Sequence, residues 1–513
     1  MKKTWQRGLA ASAFASVLVA LAAFSPAFRS LAADPPPGWW KESSGDEFPL
    51  ELRYPNAHGQ IGIVSKTPVD TKGHPFFEPM GTNGRACITC HQPANSMSLS
   101  VDTVQQRWKA SGSKDPLFAM IDGANCPNLN PEDESSHSLL LKHGLFRIGM
   151  PWPPRDANGQ PISPEFSIEV VKDPAGCNLD QRYGIKSGTP TISVYRRPRM
   201  SANLRYVTTS FSLSGRFDGK KGLPLAIDPK TGERVGLPIM SDARVTTLEA
   251  QARDAIKTHM QAGSLASEDK IRKIVDFESQ IYSAQTSHPL AGSFYATGTP
   301  KALGPVALRD GKAIVAGFNY NNPVFFSFED WKTPRAGDTP QQAEFKASVA
   351  RGYDVFFVRP MWISDVAWFS SIGMGNPYKR ACAICHSVHL TGNDISPGVM
   401  DIGVNNVPTS TTAVDTSDLP VFRVRCDKAA PSHPYLGREF LTHDPGRALI
   451  SGKCFDIGSL VMQQLRGLSA RAPYFSNGSA KDLAAVVEFY DLRFDMKMTD
   501  REKKDLENFL SVL

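Results

Sequence analysis

Cys87-Ile88-Thr89-Cys90-His91 is one of two C-x-x-C-H segments in this chain of 513 residues. The second segment is Cys382-Ala383-Ile384-Cys385-His386, in the other half of the sequence. With 8 cysteines and 11 histidines in the whole chain, chance would produce roughly 0.003 such segments. The repeated motif is therefore a specific feature, and the predictions below start from it.

The C-x-x-C-H spacing is the pattern for covalent attachment of a c-type haem. Two thiols on one short helical turn can bond the two vinyl groups of the porphyrin, and the adjoining histidine offers the iron an imidazole nitrogen. We therefore predict two covalently bound c-type haems. The predicted attachment residues are Cys87, Cys90, Cys382 and Cys385, and the predicted iron ligands are His91 and His386.

Two other uses of a C-x-x-C pair fit the sequence less well. A thioredoxin-like redox pair would lie in a βαβ setting, and no such pattern surrounds either motif. A zinc site would bring four ligands into one cluster, whereas the two pairs lie in different halves of the chain. A histidine directly after the second cysteine of both pairs favours haem.

The N-terminal segment predicts export from the cytoplasm. A basic start precedes an apolar run from about Gly8 to Phe24, and small residues near Ala33 offer a cleavage site. We therefore predict a signal peptide over residues 1–33 and a periplasmic mature chain with no membrane span. The alternative is a retained membrane anchor, because the run is close to the shortest length that spans a bilayer.

Composition and charge exclude some partners. Hydrophobic residues make up 41% and charged residues 21% of the chain, which is ordinary for a globular protein. Removal of residues 1–33 would lower the formal net charge from +6 to +2. No dense Lys/Arg block interleaved with aromatic residues occurs, so we expect no nucleic-acid partner.

The remaining cysteines are Cys126, Cys177, Cys426 and Cys454. Outside the reducing cytoplasm they are able to form one disulfide in each half of the chain, which is the pairing we favour. Four cysteines allow three pairings, and buried free thiols are the alternative.

A chain of this length exceeds one typical core, so we expect two domains. We predict a mainly α fold with cytochrome c-like domains at residues 34–290 and 341–513, each carrying one haem and joined by an irregular Gly/Pro-rich segment at 291–340. A surface position is expected for Thr391 to Gly452. Apolar periodicity predicts helices at Val101 to Lys109, Thr247 to Gln261, Glu268 to Ala284, Gln341 to Phe357, Ala480 to Asp491 and Thr499 to Leu513.

Several short segments resemble the bacterial di-haem cytochrome c peroxidase family, which includes the enzymes that mature methylamine dehydrogenase. Phe217-Asp218-Gly219-Lys220 and Leu248-Glu249-Ala250-Gln251-Ala252 are similar to the family's W-D-G-R and L-x-x-Q-A elements. Leu465-Arg466-Gly467-Leu468, followed by Ala472-Pro473-Tyr474-Phe475, resembles its L-R-N and A-P-Y-F-H elements. The chain departs from the family at Phe217, where tryptophan is common, and at Ser476, where histidine is common.

The resemblance implies a peroxidase-type oxidoreductase. In that family the N-terminal haem reacts with hydrogen peroxide, and the six-coordinate C-terminal haem relays electrons from a small redox protein. A calcium ion is compatible with the sequence, but no motif specifies one. Two alternatives stay open: an electron-transfer cytochrome without bond chemistry, and a di-haem oxygenase similar to the rubber-cleaving enzymes.

His259 is the predicted acid–base residue beside the first haem. It follows the L-x-x-Q-A element, near the place where compact peroxidases carry a glutamate, and a histidine transfers protons near neutral pH. The alternatives are a solvent-facing helix residue and a sixth iron ligand. His137 and His143 are weaker candidates.

Met462 is the predicted sixth ligand of the second haem. It lies just before Leu465-Arg466, the region where peroxidases of the family place an axial methionine, and such a ligand raises the reduction potential. The alternatives are an ordinary core methionine and a bis-histidine haem that uses His433 or His443.

Overall fold

The computed structural model contains both helices and strands, with 31% of residues in helices and 18% in strands. The prediction of a mainly α fold with cytochrome c-like domains is therefore wrong. The boundaries proposed for the two halves, 34–290 and 341–513, stay a prediction. The structure describes residues 38–156, 158–208, 239–245, 247–311, 324–325, 328–371, 373–388, 390–392, 399–409 and 411–513. The predicted signal peptide and the Phe217 to Lys220 motif lie outside these residues.

The helices are mostly short, and the longest one described is α8. Several begin at a serine, threonine or aspartate whose side chain accepts a hydrogen bond from the first turn, as Thr339 does for α8. The helices are α1 Cys87–Cys90, α2 Val101–Ser111, α3 Ser138–His143, α4 Leu204–Val207, α5 Leu248–Thr258, α6 Glu268–Gln280, α7 Pro305–Asp310, α8 Pro340–Phe357, α9 Ala367–Ser371, α10 Ala448–Ser451, α11 Leu483–Arg493 and α12 Asp500–Ser511.

The strands are also short and lie in separate small sheets. They are β1 Glu47–Phe48, β2 Glu51–Asn56, β3 Gly59–Val64, β4 Val69–Asp70, β5 Phe146–Pro151, β6 Phe166–Lys172, β7 Thr191–Arg196, β8 Tyr282–His288, β9 Gly292–Ser293, β10 Met361–Ile363, β11 Tyr378–Arg380, β12 Val399–Met400, β13 Asn406–Val407, β14 Val421–Cys426, β15 Glu439–Thr442 and β16 Leu460–Val461.

Two antiparallel sheets of four strands connect distant parts of the chain. One has the strand order β2-β3-β8-β9, and the other has the order β13-β15-β14-β6. In the second sheet, β6 from the first half pairs with β14 from the second half. Pairs of strands make up the remaining sheets: β1-β4, β5-β7, β10-β11 and β12-β16.

Long-range strand pairing explains the two local errors of the sequence analysis. The helix predicted at Glu268 to Ala284 ends at Gln280, because the following residues form β8 and pair with β3. The segment Thr391 to Gly452, expected at the surface, contains β14, in which Phe422 and Val424 are fully buried. A strand depends on its partner more than on its own propensity, and these partners lie far away in sequence.

Apolar packing forms one large cluster in the second half and a smaller one in the first half. In the larger cluster α8 packs closely against α12, where a Cβ atom on Gly352 would lie 1.9 Å from the Asp505 carbonyl oxygen. The Asp505 carboxylate accepts hydrogen bonds from Ser348 and Arg351 of α8, at 2.6 and 2.8 Å. These contacts fix the helix pair beside the second C-x-x-C-H motif.

The four cysteines outside the motifs form the two favoured disulfides. Cys126 pairs with Cys177, and Cys426 pairs with Cys454, across sequence separations of 51 and 28 residues. Loops of this size correspond to about 3–4 kcal/mol each in the chain-entropy description. Among the described residues, no helix is long and apolar enough to cross a membrane.

Candidate functional sites in two cavities

A cavity of about 1440 Å³, including its mouth, opens beside the first C-x-x-C-H motif. Cys87, Cys90 and His91 line it from α1. Leu248, Gln251 and Ala252, the defining residues of the L-x-x-Q-A element, line it from α5. His259, directly after α5, lines it as well. The fold therefore brings the predicted attachment residues, iron ligand and acid–base residue of the first half to one space.

A second cavity, of about 1550 Å³ including its mouth, opens beside the other motif. Its lining includes Cys382, Cys385 and His386 together with the predicted ligand Met462. The A-P-Y-F element also contributes, through Pro473, Tyr474 and Phe475, with Ser476 beside them. Each of the two C-x-x-C-H motifs thus lies at a cavity of its own.

The two motif histidines have the same ring arrangement. Nδ1 of His91 lies 3.0 Å from the Met97 carbonyl oxygen, and Nδ1 of His386 lies 2.7 Å from that of Gly392. Because a carbonyl only accepts, Nδ1 must donate in both cases, which leaves Nε2 able to bind a metal. Burial lowers the pKa of both rings, that of His386 to about 4, so both are neutral.

The two disulfides join the other four cysteines, and the motif cysteines remain thiols. Burial raises the pKa of Cys90 to about 11 and that of Cys382 to about 12. A dithiol redox pair requires the opposite, a thiol whose pKa is lowered toward neutrality. The surroundings of both pairs therefore argue against disulfide exchange.

The residues present fit a covalently attached haem. Each cavity combines two thiols, a buried neutral imidazole whose Nδ1 donates to a main-chain carbonyl, and a largely apolar wall. No group of three or more His, Cys, Asp or Glu residues in the described part of the chain is arranged to hold a metal ion. A haem iron takes four ligands from its porphyrin, so the protein needs to supply only one or two.

His259 belongs to a chain of charged hydrogen bonds at the first cavity. Its Nδ1 lies 2.6 Å from a carboxylate oxygen of Asp122, and the other oxygen of that carboxylate accepts a hydrogen bond from Arg85. Burial raises the pKa of Asp122, but Arg85 and His259 outweigh it and hold this pKa below its usual value. The ionised carboxylate must accept from Nδ1–H, so it sets the orientation and tautomer of the ring.

Glu278 is a second ionisable group of the first cavity. It projects from α6 and is 4% exposed. Its Oε2 has no hydrogen-bond partner in the described part of the chain, and burial raises its pKa to about 8. At neutral pH it is therefore a protonated carboxylic acid.

Met462 shares the second cavity with other methionines, namely Met361, Met400 and Met496. The two alternative histidines lie elsewhere. His433 Nε2 is 3.6 Å from the Asp401 carboxylate, and His443 Nδ1 is 2.8 Å from the Pro420 carbonyl oxygen. Neither is among the described residues that line the second cavity.

The weaker candidates occupy other places. His137 is fully buried, with Nδ1 2.8 Å from the Gly123 carbonyl oxygen and its ring against Trp108 and Phe118. His143 lies 3.3 Å from the Asp418 carboxylate. Neither histidine lines the first or the second cavity within the described residues.

The two cavities share a wall. Arg197, Pro198, Gln463 and Gln464 line both of them. Sequence reasoning missed this wall, as it missed Arg85, Asp122 and Glu278. Asp122 and His259 are 137 residues apart, and no spacing pattern connects residues at such separations.

Comparisons with known proteins give limited similarity. No family model and no curated protein matches the chain. A structure of Kuenenia stuttgartiensis hydrazine synthase pressurized with xenon aligns with 82% of this chain and 94% of its own, at 12% identity and a TM-score of 0.29. A MauG-like protein associated with microbial copper homeostasis aligns over 61% of this chain and 82% of its own, at 16% identity and a TM-score of 0.24. At these TM-scores the likeness carries no functional argument.

Proposed function

We propose that this protein is a periplasmic di-haem c-type oxidoreductase of peroxidase type, which reduces hydrogen peroxide with electrons relayed from the C-terminal to the N-terminal haem. The observation that carries the proposal is the presence of a complete C-x-x-C-H motif at each of two adjoining cavities. A small redox protein would supply the electrons.

The first cavity is the proposed site of peroxide reduction. A haem bound there through Cys87, Cys90 and His91 would supply the redox chemistry. Reduction of one peroxide to two waters also consumes two protons, and His259 is the residue placed to deliver them. Asp122 accepts a hydrogen bond from Nδ1–H of the ring and keeps the ring oriented between transfers, and Arg85 holds Asp122 in the ionised form.

The His259 contacts favour the acid–base role over the two alternatives. A ring that donates to a buried carboxylate at 2.6 Å is held in place, unlike a solvent-facing side chain. The side chain is also 33% exposed, which gives it a route for exchanging protons with water. A side chain bound permanently to the iron as its sixth ligand would not need to exchange protons with water.

The second cavity is the proposed electron-relay site. A haem attached at Cys382 and Cys385 would be held by His386 and Met462, and a thioether ligand would favour the reduced iron. The two cavities adjoin, because Arg197, Pro198, Gln463 and Gln464 line both of them. This arrangement suits electron transfer from the second haem to the first.

The decisive experiment uses full-length protein matured in a host competent for cytochrome c assembly. Mass spectrometry is expected to show two added haems, and spectroscopy one high-spin and one low-spin iron. Stoichiometric hydrogen peroxide should change the bands of the high-spin haem and should be consumed when a reduced donor protein is present. Two low-spin haems inert to peroxide would instead support the electron-transfer alternative.

A further inference from the structure

Three arginines stand where the two cavities meet. Arg197 lines both cavities, Arg199 lines the first and Arg471 lines the second. Arg197 and Arg471 are each 8% exposed, and Arg199 is partly buried. Arg197 and Arg199 come just after the end of β7 at Arg196. Arg471 follows a short helical turn at Leu468–Ala470.

None of the three guanidinium groups has a carboxylate partner among the described residues. Arg199 donates to the Val461 and Met462 carbonyl oxygens, both at 3.1 Å. Arg197 donates to the carbonyl oxygens of Arg471 and His143, both at 3.0 Å, and to that of Leu99. Arg471 donates to the carbonyl oxygen of Gln464. The Nε of Arg471 has no partner in the described part of the chain. Main-chain carbonyls solvate these cations but do not neutralise them.

The adjacent Arg196 provides an internal contrast. It also lines the first cavity, but it forms ion pairs with Asp242 at 2.6 Å and Asp444 at 2.7 Å. The chain thus neutralises one buried arginine with its own carboxylates and leaves the next ones without any. A buried cation without a counter-ion is costly, so an anion from outside the polypeptide is expected.

The pKa values of these arginines support the expectation of an external anion. Burial, and then the charge of Arg471, lower the pKa of Arg197 to about 9 and that of Arg199 to about 10. Arg471 therefore repels both of the other groups, and Asp242 offsets part of this effect at Arg199. Guanidinium groups pair with carboxylates through two parallel hydrogen bonds. Each haem carries two propionate carboxylates, which match the sign and the geometry of the site.

We propose that Arg197, Arg199 and Arg471 form a carboxylate-binding site that receives haem propionates from both cavities, with Arg197 shared between them. The inference rests on the proposed function, because it requires haem in both cavities. It adds an electrostatic consequence: one set of positive charges stabilises the reduced state of both irons. Removing Arg197 should lower both midpoint potentials, whereas Arg199→Gln should lower mainly that of the first haem and Arg471→Gln mainly that of the second.

The test is a spectroelectrochemical titration of the haem-loaded full-length protein and its Arg197→Gln variant. The expected change is about tenfold in the equilibrium constant for reduction of each haem, which corresponds to ~59 mV per one-electron step. A unit charge at about 10 Å and an effective dielectric constant near 20 has an effect of this order. Arg147→Gln is the matched control, because Arg147 is buried, has no ion pair among the described residues and lines neither cavity. It should leave both potentials unchanged.

The outcomes separate the two proposals. If mass spectrometry finds no haem in the wild-type protein, the proposed function fails. If two haems are bound but Arg197→Gln shifts the potentials no more than Arg147→Gln does, the propionate site is refuted and the function stands. Should Arg197→Gln not fold, Arg199→Gln tests the first haem, and Arg197→Lys, which retains the charge, should keep both potentials near the wild-type values.

Discussion

Each cavity contains the two cysteines and the histidine of a C-x-x-C-H motif, and the cavities differ in the residues around that motif. The first contains ionisable groups, His259 beside Asp122 and the buried Glu278. The second contains methionine and aromatic side chains, with Met462 as the predicted ligand. The same five-residue motif thus has ionisable side chains near it in one half, and thioether and aromatic side chains near it in the other. The segments that make this difference lie far from the motifs in sequence.

Deleting one attachment site at a time has the largest expected effect. The double variant C87A/C90A should lose one covalently bound haem and all reactivity with peroxide, because its remaining haem has no open position. The variant C382A/C385A should also retain one haem, but that haem should still respond to peroxide. Mass spectrometry and peroxide-difference spectra measure both outcomes. Peroxide reactivity that survives in the first variant would reverse the assignment of the cavities.

Replacing His259 by alanine should lower kcat/KM for peroxide by about 10²–10⁴-fold, the usual contribution of a positioned acid–base group. The reduction potential of the second haem should not change. Thr258→Ala is the control, since Thr258 is exposed on the last turn of α5, next to His259, and donates to the Asp254 carbonyl oxygen. Steady-state kinetics of both variants decide the matter, and equal rates would remove His259 from the mechanism.

Met462→Ala should affect the second haem instead. Loss of a thioether ligand should lower its midpoint potential by roughly 100 mV, within the range of about 0.8 V that axial ligands span. Met400→Ala removes another methionine of the same cavity and should leave the potential nearly unchanged. A redox titration of the two variants distinguishes them. If Met400→Ala gives the larger shift, the ligand assignment must move to Met400.

Glu278 should make the stability of the protein depend on pH. Burial raises its pKa in the folded protein to about 8, from an ordinary value of 4.5, so between these values the unfolded state binds fewer protons. The free energy of unfolding should therefore fall as the pH rises from 5 to 7, by about 2 kcal/mol from this group.

Glu278→Gln should remove that part of the pH dependence. Guanidinium chloride unfolding at both pH values measures it, because the midpoint tracks the free energy when the slope is constant. Glu268→Gln, on the exposed start of the same helix, is the control and should leave the dependence intact. An unchanged pH dependence in Glu278→Gln would show that this carboxyl ionises normally.

The sequence predicted local helices and motifs, but it did not predict contacts between segments that are distant in the chain. The helices predicted at Thr247 to Gln261 and Gln341 to Phe357 form as Leu248–Thr258 and Pro340–Phe357, because periodicity and capping act within a few residues. The overall α content was overestimated, since β3 and β8 pair only after the chain has brought distant segments together.

The sequence by itself determined the chemistry at each motif, because two thiols and an imidazole within five residues need only one helical turn to meet. It also indicated the disulfide in each half and pointed to His259 and Met462, through their positions beside short recognisable elements. Only the tertiary structure decided which residues face those motifs: the Asp122 partner of His259, the buried Glu278 and the arginines of the shared wall. These contacts join residues that are far apart in the chain, and the free energy that selects them comes from burial and charge pairing, which no local pattern encodes.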